Sequence, residues 1–260
     1  MSKFRPILLE ITAKAGQLIM NHRAMLQTAV EKEKNEIVTP ADIAANDYIV
    51  SELKRAFPDI AIYTEEGSKD KSNSTTRWIV DPVDGTTPWV WGNSGFAISI
   101  ALEQDAEVTV AGVYDPVMQE FFYAEKGKGA TRNGLPIHPS AEIDNKSMLM
   151  VVDWGNKDEK RREGIAYFTK FILPEMFARR VVPQFAPALG LCRIAEGRIH
   201  ALVCNDTWVE DHSAGALILR ESGGYCSNFY ETASFSHRQS GIIATNNKST
   251  HDAILALLRG

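Results

Sequence analysis

The stretch Asp81-Pro82-Val83-Asp84-Gly85-Thr86-Thr87, preceded by the apolar run Trp78-Ile79-Val80, decides how this chain is read. A short apolar run bounded by turn residues reads as a buried strand, and a turn at its end makes a rigid platform for a site. Pro82 fixes its own φ, and Gly85 permits a positive φ and close approach by a ligand. Asp81, Asp84 and the peptide carbonyl of Val83 form an oxygen-only donor set, which suits a hard cation such as Mg²⁺. The same residue types also build ordinary surface turns, so the heptapeptide alone leaves both readings open.

Two further acidic spots tilt the balance. Glu65-Glu66-Gly67 follows the apolar Ile60-Ala61-Ile62-Tyr63, a second pair of carboxylates at the end of a strand-like run. Glu210-Asp211 opens a segment that runs to Gly223-Gly224 and reads as a helix, with Asp211 in its first turn and the glycines as its stop. By itself Asp211 needs no more than compensation of the helix dipole. Upstream, Thr39-Pro40-Ala41-Asp42 is a helix start with Thr39 as N-cap, Pro40 at the first position and Asp42 as the capping-box acid.

The rest of the chain is organised around these spots. Ile7, Leu8, Ile11, Ala15, Leu18 and Ile19 recur at helical spacing, which predicts an amphipathic first helix and not a signal peptide. Residues 31–36 read as a charged, solvated connector, and 68–76 as a polar, mobile loop beside the site. Phe96–Leu102, Val108–Tyr114 and Glu120–Ala124 read as strands joined by short turns. Gly127-Lys128-Gly129 lacks the spacing of a phosphate loop and reads as a hairpin connection. A boundary is expected near residue 142. It separates an N-terminal α+β part, 1–142, from a C-terminal α/β part, 143–260, that completes the site and ends in a helix over His251–Leu258.

Taken together, Val38-Thr39-Pro40-Ala41-Asp42, Glu65-Glu66-Gly67, Asp81 to Thr87 and Asp211 to Gly224 resemble the inositol monophosphatase family of Mg²⁺-dependent phosphatases. Tyr114-Asp115-Pro116, Gly127 to Ala130 and Asn133-Gly134 resemble that family's hairpin region, and the motifs stand in the expected order over most of the chain. The resemblance implies a layered αβαβα sugar-phosphatase fold, with N-terminal helices on a mostly antiparallel sheet. It implies two or three Mg²⁺ per site: Glu65, Asp81 and the Val83 carbonyl as ligands of the first, and Asp81, Asp84 and Asp211 of the second. Glu65, Asp42 and Thr86 then take catalytic roles, the last two as the carboxylate–hydroxyl pair that orients and deprotonates the attacking water. Gly85 and Thr86 would bind phosphate through their N–H groups. The implied reaction is direct in-line hydrolysis of a small phosphorylated metabolite by a homodimer.

Composition fits this reading. A chain of 260 residues can bury a large core, and a net charge of −5 argues against a nucleic-acid partner. No apolar run approaches the length of a membrane span. Cys192, Cys204 and Cys226 have no paired metal-binding spacing and read as reduced thiols, as expected for a cytoplasmic protein.

Departures from the family pattern concern the substrate. Pro88 stands where the family has Asn, and Glu210 where it has Trp. Phe185-Ala186-Pro187-Ala188-Leu189 replaces Gly-Ser-Ala-Ala-Leu, and Cys204 takes the place of the acid that binds inositol hydroxyls in animal enzymes. Phe185, Ala186, Cys204 and His212 are the candidate substrate contacts. Losing several polar recognition groups implies a leaving group other than inositol, such as that of histidinol phosphate, a sugar phosphate or a nucleotide 3′-phosphate. A non-catalytic regulatory protein on the same fold is the alternative from a different class.

Overall fold

Strand alternation sorts the core of this protein into layers. A computed structural model describes residues 2–23, 30–33, 36–67, 74–155, 157–172, 177–183, 186–230 and 235–259. Its elements begin with α1 (Phe4–Arg23), β1 (Val30–Glu33), β2 (Glu36–Val38), α2 (Pro40–Ala56), β3 (Ala61–Thr64), β4 (Thr76–Asp84) and α3 (Thr86–Val90). Next come β5 (Ala97–Gln104), β6 (Glu107–Asp115), β7 (Glu120–Glu125), β8 (Ala130–Arg132), β9 (Leu135–Pro136), β10 (Leu149–Asp153), α4 (Asp158–Ile172) and β11 (Arg180–Pro183). The chain closes with α5 (Pro187–Ala195), β12 (Ala201–Cys204), α6 (Val209–Ser222), β13 (Tyr225–Asn228), β14 (Ile242–Thr245) and α7 (Lys248–Arg259).

The first large sheet runs β3-β4-β5-β6-β7-β8-β9, antiparallel except for the β3–β4 pair. The second runs β11-β10-β12-β14-β13, with β10 parallel to both of its neighbours. Successive side chains of a strand point to opposite faces. Trp78 and Val80 of β4, Ile98 and Ile100 of β5, and Phe121 of β7 therefore meet Leu8, Ile11, Ile49 and Leu53 of α1 and α2. Ile79, Ala97, Ala101, Val113 and Phe122 face the other way, onto Leu189 and Leu191 of α5 and Leu217 of α6, and this cluster continues into Val151, Leu202 and Ile242 of the second sheet. The far face of that sheet, Met150, Val152, Val203 and Ile243, packs on Phe171 of α4 and Ile254 of α7. The result is α1/α2, sheet, α5/α6, sheet, α4/α7: the layered αβαβα order expected from sequence. Each fully buried Leu, Ile or Phe in these layers contributes roughly 1.5–3 kcal/mol.

One local expectation is corrected. Residues 31–33 and 36 are not a plain charged connector, because β1 and β2 pair antiparallel there with Val30 opposite Val38; residues 34–35 lie outside the described residues. Backbone pairing overrides the low strand propensity of Glu and Lys. Residues 68–73 of the polar stretch, read from sequence as mobile, lie outside the described residues. The glycine stretch after β7 does join that strand to the antiparallel β8. The N–H groups of Gly127 and Gly129 donate to the Glu221 carboxylate of α6 at 2.8 and 2.9 Å.

Candidate metal and phosphate site

Three local devices bring the acids together. Parallel pairing of β3 with β4 sets Thr64 opposite Val80, and the Glu65 N–H donates to the Val80 carbonyl at 3.2 Å, so Glu65 emerges beside Asp81. Asp81 and Asp84 are three residues apart and would leave a regular strand on opposite faces. Between them the β4–β5 register shifts, with Asp81 opposite Ser99 but Asp84 opposite Ala97. That extra residue is a bulge, and it turns both carboxylates the same way. Pro82 fits the bulge because no ladder hydrogen bond is asked of it. Gly85 then takes φ +91°, the left-handed region, to start α3. On the far side, the Asp211 carboxylate accepts from the Trp208 N–H at 2.6 Å and so caps α6 from its first turn.

Glu65, Asp81, Val83, Asp84, Gly85, Thr86 and Asp211 all line one cleft of about 170 Å³. Asp42 lies just behind it. Its carboxylate accepts the Thr86 hydroxyl at 2.9 Å and the Thr39 N–H at 2.9 Å, while the Thr39 hydroxyl completes the capping box. The Thr86 hydroxyl is also 3.1 Å from the Val83 carbonyl. A larger groove of about 550 Å³ holds none of these residues; its Arg77 and Arg238 are paired with Glu103.

Burial and like charge raise the proton affinity of the cluster. Asp81 is pushed well above the usual carboxylate range by burial and then by Glu65, Asp84 and Asp211. Asp84 is raised mainly by burial, partly offset by the Leu189 N–H that donates to it at 3.2 Å. Asp211 is raised by burial and by Glu210. Asp42 is raised by burial against the opposing hydrogen bonds of Thr39 and Thr86.

The donor set fits a hard divalent cation. Six of the residues lining the cleft are carboxylates, namely Glu65, Asp81, Asp84, Asp153, Asp206 and Asp211, and none is Lys, Arg or His. Buried anions are costly unless protonated or matched by a cation. Among the described residues no three or more His, Cys, Asp or Glu side chains are grouped closely enough to hold a metal ion as they stand.

The remaining sequence candidates sit elsewhere. His212 is fully buried, with Nδ1 2.8 Å from the Thr207 hydroxyl and Nε2 2.9 Å from the His237 carbonyl. Both ring nitrogens are thus engaged in packing α6, which corrects the expected substrate contact. Burial holds its pKa down to about 4. Cys204 is fully buried in β12 and its thiol lies 3.6 Å from the Asp206 carbonyl, so it stands behind the cleft wall. Ala186 is also fully buried, and its neighbour Pro187 lines the cleft instead. Phe185 lies outside the described residues.

Asp153, Trp154, Asp206 and Trp208 line the cleft without having been singled out in the sequence. Asp153 ends an apolar run, Met148 to Val152, just as Asp81 ends Trp78 to Val80, and that shared signal was available. Burial pushes Asp153 up to about 7.

The chain belongs to the inositol monophosphatase family, whose model matches residues 1–260. It is 31% identical to the Nus factor SuhB of Pseudomonas aeruginosa over 97% of this chain and 94% of that one. It is 30% identical to the Nus factor SuhB of Escherichia coli K12 over 95% and 92%. Among solved structures it is similar to an IMPase of Thermotoga maritima, with 28% identity, a TM-score of 0.88 and coverage of 99% and 97%. The suhB protein of Bartonella henselae has a TM-score of 0.89 at 25% identity, covering 99% of each chain. Among the described residues no helix is long and apolar enough to cross a membrane.

Proposed function

We propose that this chain is a Mg²⁺-dependent phosphate monoester hydrolase. One observation carries the reading: Glu65, the Asp81–Asp84 stretch with its Val83 carbonyl, and Asp211, three separate parts of the sequence, border a single cleft that also presents Thr86. Glu65, Asp81 and the Val83 carbonyl would hold one Mg²⁺, and Asp81, Asp84 and Asp211 a second, with a third on Glu65. When bound, these ions supply neutralisation of the phosphate and stabilisation of the departing alkoxide.

The chain's own groups supply the rest. Gly85 and Thr86 at the start of α3 offer N–H groups to the phosphate. Thr86, held by Asp42 at 2.9 Å, orients the attacking water and passes its proton toward the Asp42 carboxylate. Water oxygen bonds to phosphorus as the bond to the alcohol oxygen breaks in line, and the departing alkoxide takes a proton from solvent water, giving alcohol and inorganic phosphate. Inositol 1-phosphate is not the expected best substrate, because the family's acid for inositol hydroxyls is replaced by Cys204, whose buried thiol presents no such acceptor to the cleft.

The test is phosphate release from a panel of monoesters with and without Mg²⁺. Release that requires Mg²⁺ is expected, and a folded protein that hydrolyses nothing overturns the reading. A second reading, a regulatory protein on the same fold, is favoured by the name Nus factor borne by the relatives. That name also leaves the expectation of no nucleic-acid partner without support.

A further inference from the structure

Position 210 carries a carboxylate where the family pattern has Trp. Glu210 is 5% exposed, and it lies near enough to Asp81 and Asp211 to raise the proton affinity of both. A buried anion added to an acidic cluster is costly unless its hydrogen bonds compensate.

Those bonds run to the elements that carry the other metal-type ligands. The Tyr63 hydroxyl donates to Glu210 Oε2 at 3.2 Å. Tyr63 stands on β3 two residues before Glu65, and Glu210 stands on α6 one residue before Asp211. The Ser99 hydroxyl donates to the Glu210 main-chain carbonyl at 3.3 Å, and Ser99 of β5 is the register partner of Asp81. Residue 210 is therefore tied by its side chain to the strand that delivers Glu65 and by its backbone to the strand opposite Asp81. The ring of Tyr63 is itself held, because the Arg77 guanidinium lies 5.2 Å from its centroid and pairs at 3.1 Å with the fully buried Glu103. Tyr63, Ser99 and Glu210 all stand behind the residues that line the cleft.

The arrangement meets a mechanical need. Glu65, Asp81 and Asp211 repel one another in the absence of cations. Asp211 lies in the first turn of α6, where no preceding turn of helix anchors the chain. A bond from the residue before Asp211 to the strand before Glu65 holds the two carboxylates at a set separation, and metal ligands bind best when such outer contacts fix them in advance.

We propose that the Tyr63–Glu210 hydrogen bond is a positioning clasp that fixes Asp211 against Glu65 for cation binding. The inference rests on the two-metal reading of the cleft.

The test titrates Mg²⁺ calorimetrically into the wild-type protein, Tyr63→Phe, Glu210→Leu and the double variant, with folding checked by circular dichroism. Tyr63→Phe deletes one oxygen and leaves every carboxylate in place. It is expected to weaken Mg²⁺ binding about 3- to 10-fold, the scale of one hydrogen bond that supports a ligand. In the Glu210→Leu background the same change should cost less than about twofold, since its acceptor is gone and the charge effect of position 210 cancels from the cycle. Glu210→Ala serves as the background if Glu210→Leu does not fold. An unchanged Kd in Tyr63→Phe overturns the clasp. So does an equal loss in both backgrounds, which would mark Tyr63 as ordinary packing. Hydrolysis plays no part in this measurement. A wild-type protein that binds Mg²⁺ and shows the coupling but releases no phosphate from any monoester overturns the phosphatase reading and keeps the clasp, whereas one that binds no Mg²⁺ overturns both.

Discussion

The Thr86 hydroxyl is the smallest feature on which the proposed chemistry depends. It lies 2.9 Å from Asp42 and 3.1 Å from the Val83 carbonyl, so it stands between the carboxylate and the carbonyl to which catalytic and metal-holding roles are proposed. Asp42 in turn accepts the N–H of its own N-cap, Thr39, which fixes the carboxylate before any substrate arrives. Thr86→Ala removes the link without touching a carboxylate. We expect turnover to fall on the order of 10²- to 10⁴-fold, the range for an acid–base component. Mg²⁺ affinity, read by calorimetry, should change far less. Unchanged turnover at saturating Mg²⁺ would remove Thr86 and Asp42 from the mechanism.

At the scale of elements, the packing of α5 on α6 sets the depth of the site. α5 presents the Leu189 N–H to Asp84, and α6 carries Asp211. The two helices approach closely because position 215 has no side chain: a Cβ there would lie 2.8 Å from Leu191 and 2.9 Å from the Ala188 carbonyl. Gly215→Ala must therefore push the helices apart, and overpacking of this kind costs typically 1–3 kcal/mol. We expect a lower urea midpoint together with weaker Mg²⁺ binding, since Asp84 and Asp211 separate. A midpoint shift with metal affinity unchanged would show that the pair of helices does not gauge the site.

These elements were unequally legible in the sequence. Strand ends bearing Asp81 and Glu65, the capping box at Thr39 and the Gly223 stop of α6 are local signals, and each stands where local chemistry put it. The layer order came from the resemblance to a family, since periodicity alone does not say which faces meet. The bulge that aligns Asp81 with Asp84 depends on pairing with β5, and the convergence of Asp153 with Asp206 depends on pairing of β10 with β12. Such pairings have no single-chain signature. His212 beside Asp211 reads from sequence as structural or as a substrate contact, and helical geometry decides for the first by turning it into the core.

For the whole molecule, the consequence is a fold whose stability depends on what fills its cleft. Asp81, Asp84 and Asp211 all have folded pKa values raised by burial and mutual repulsion, so without cations the folded state binds more protons than the unfolded one. The sign follows: these groups destabilise the metal-free protein above the carboxylate range, and the penalty is relieved as pH falls through their raised values. Mg²⁺ must compete with those protons, so its stabilising effect is greatest near neutral pH and shrinks on acidification. His212 acts in the other direction. Its folded pKa of about 4 lies below the unfolded value near 6.5, so stability is lost as pH falls between the two. That term is common to melts with and without Mg²⁺ and cancels in their difference. At pH 7.5, Mg²⁺ about 100-fold above its Kd should raise Tm by roughly 5–10 °C, and by clearly less at pH 5. Asp84→Asn should raise the metal-free Tm at pH 7.5 while reducing the Mg²⁺ increment, because it removes one repelling charge and one ligand together. A Tm insensitive to Mg²⁺ at pH 7.5 would mean that these buried carboxylates do not form a cation site at all.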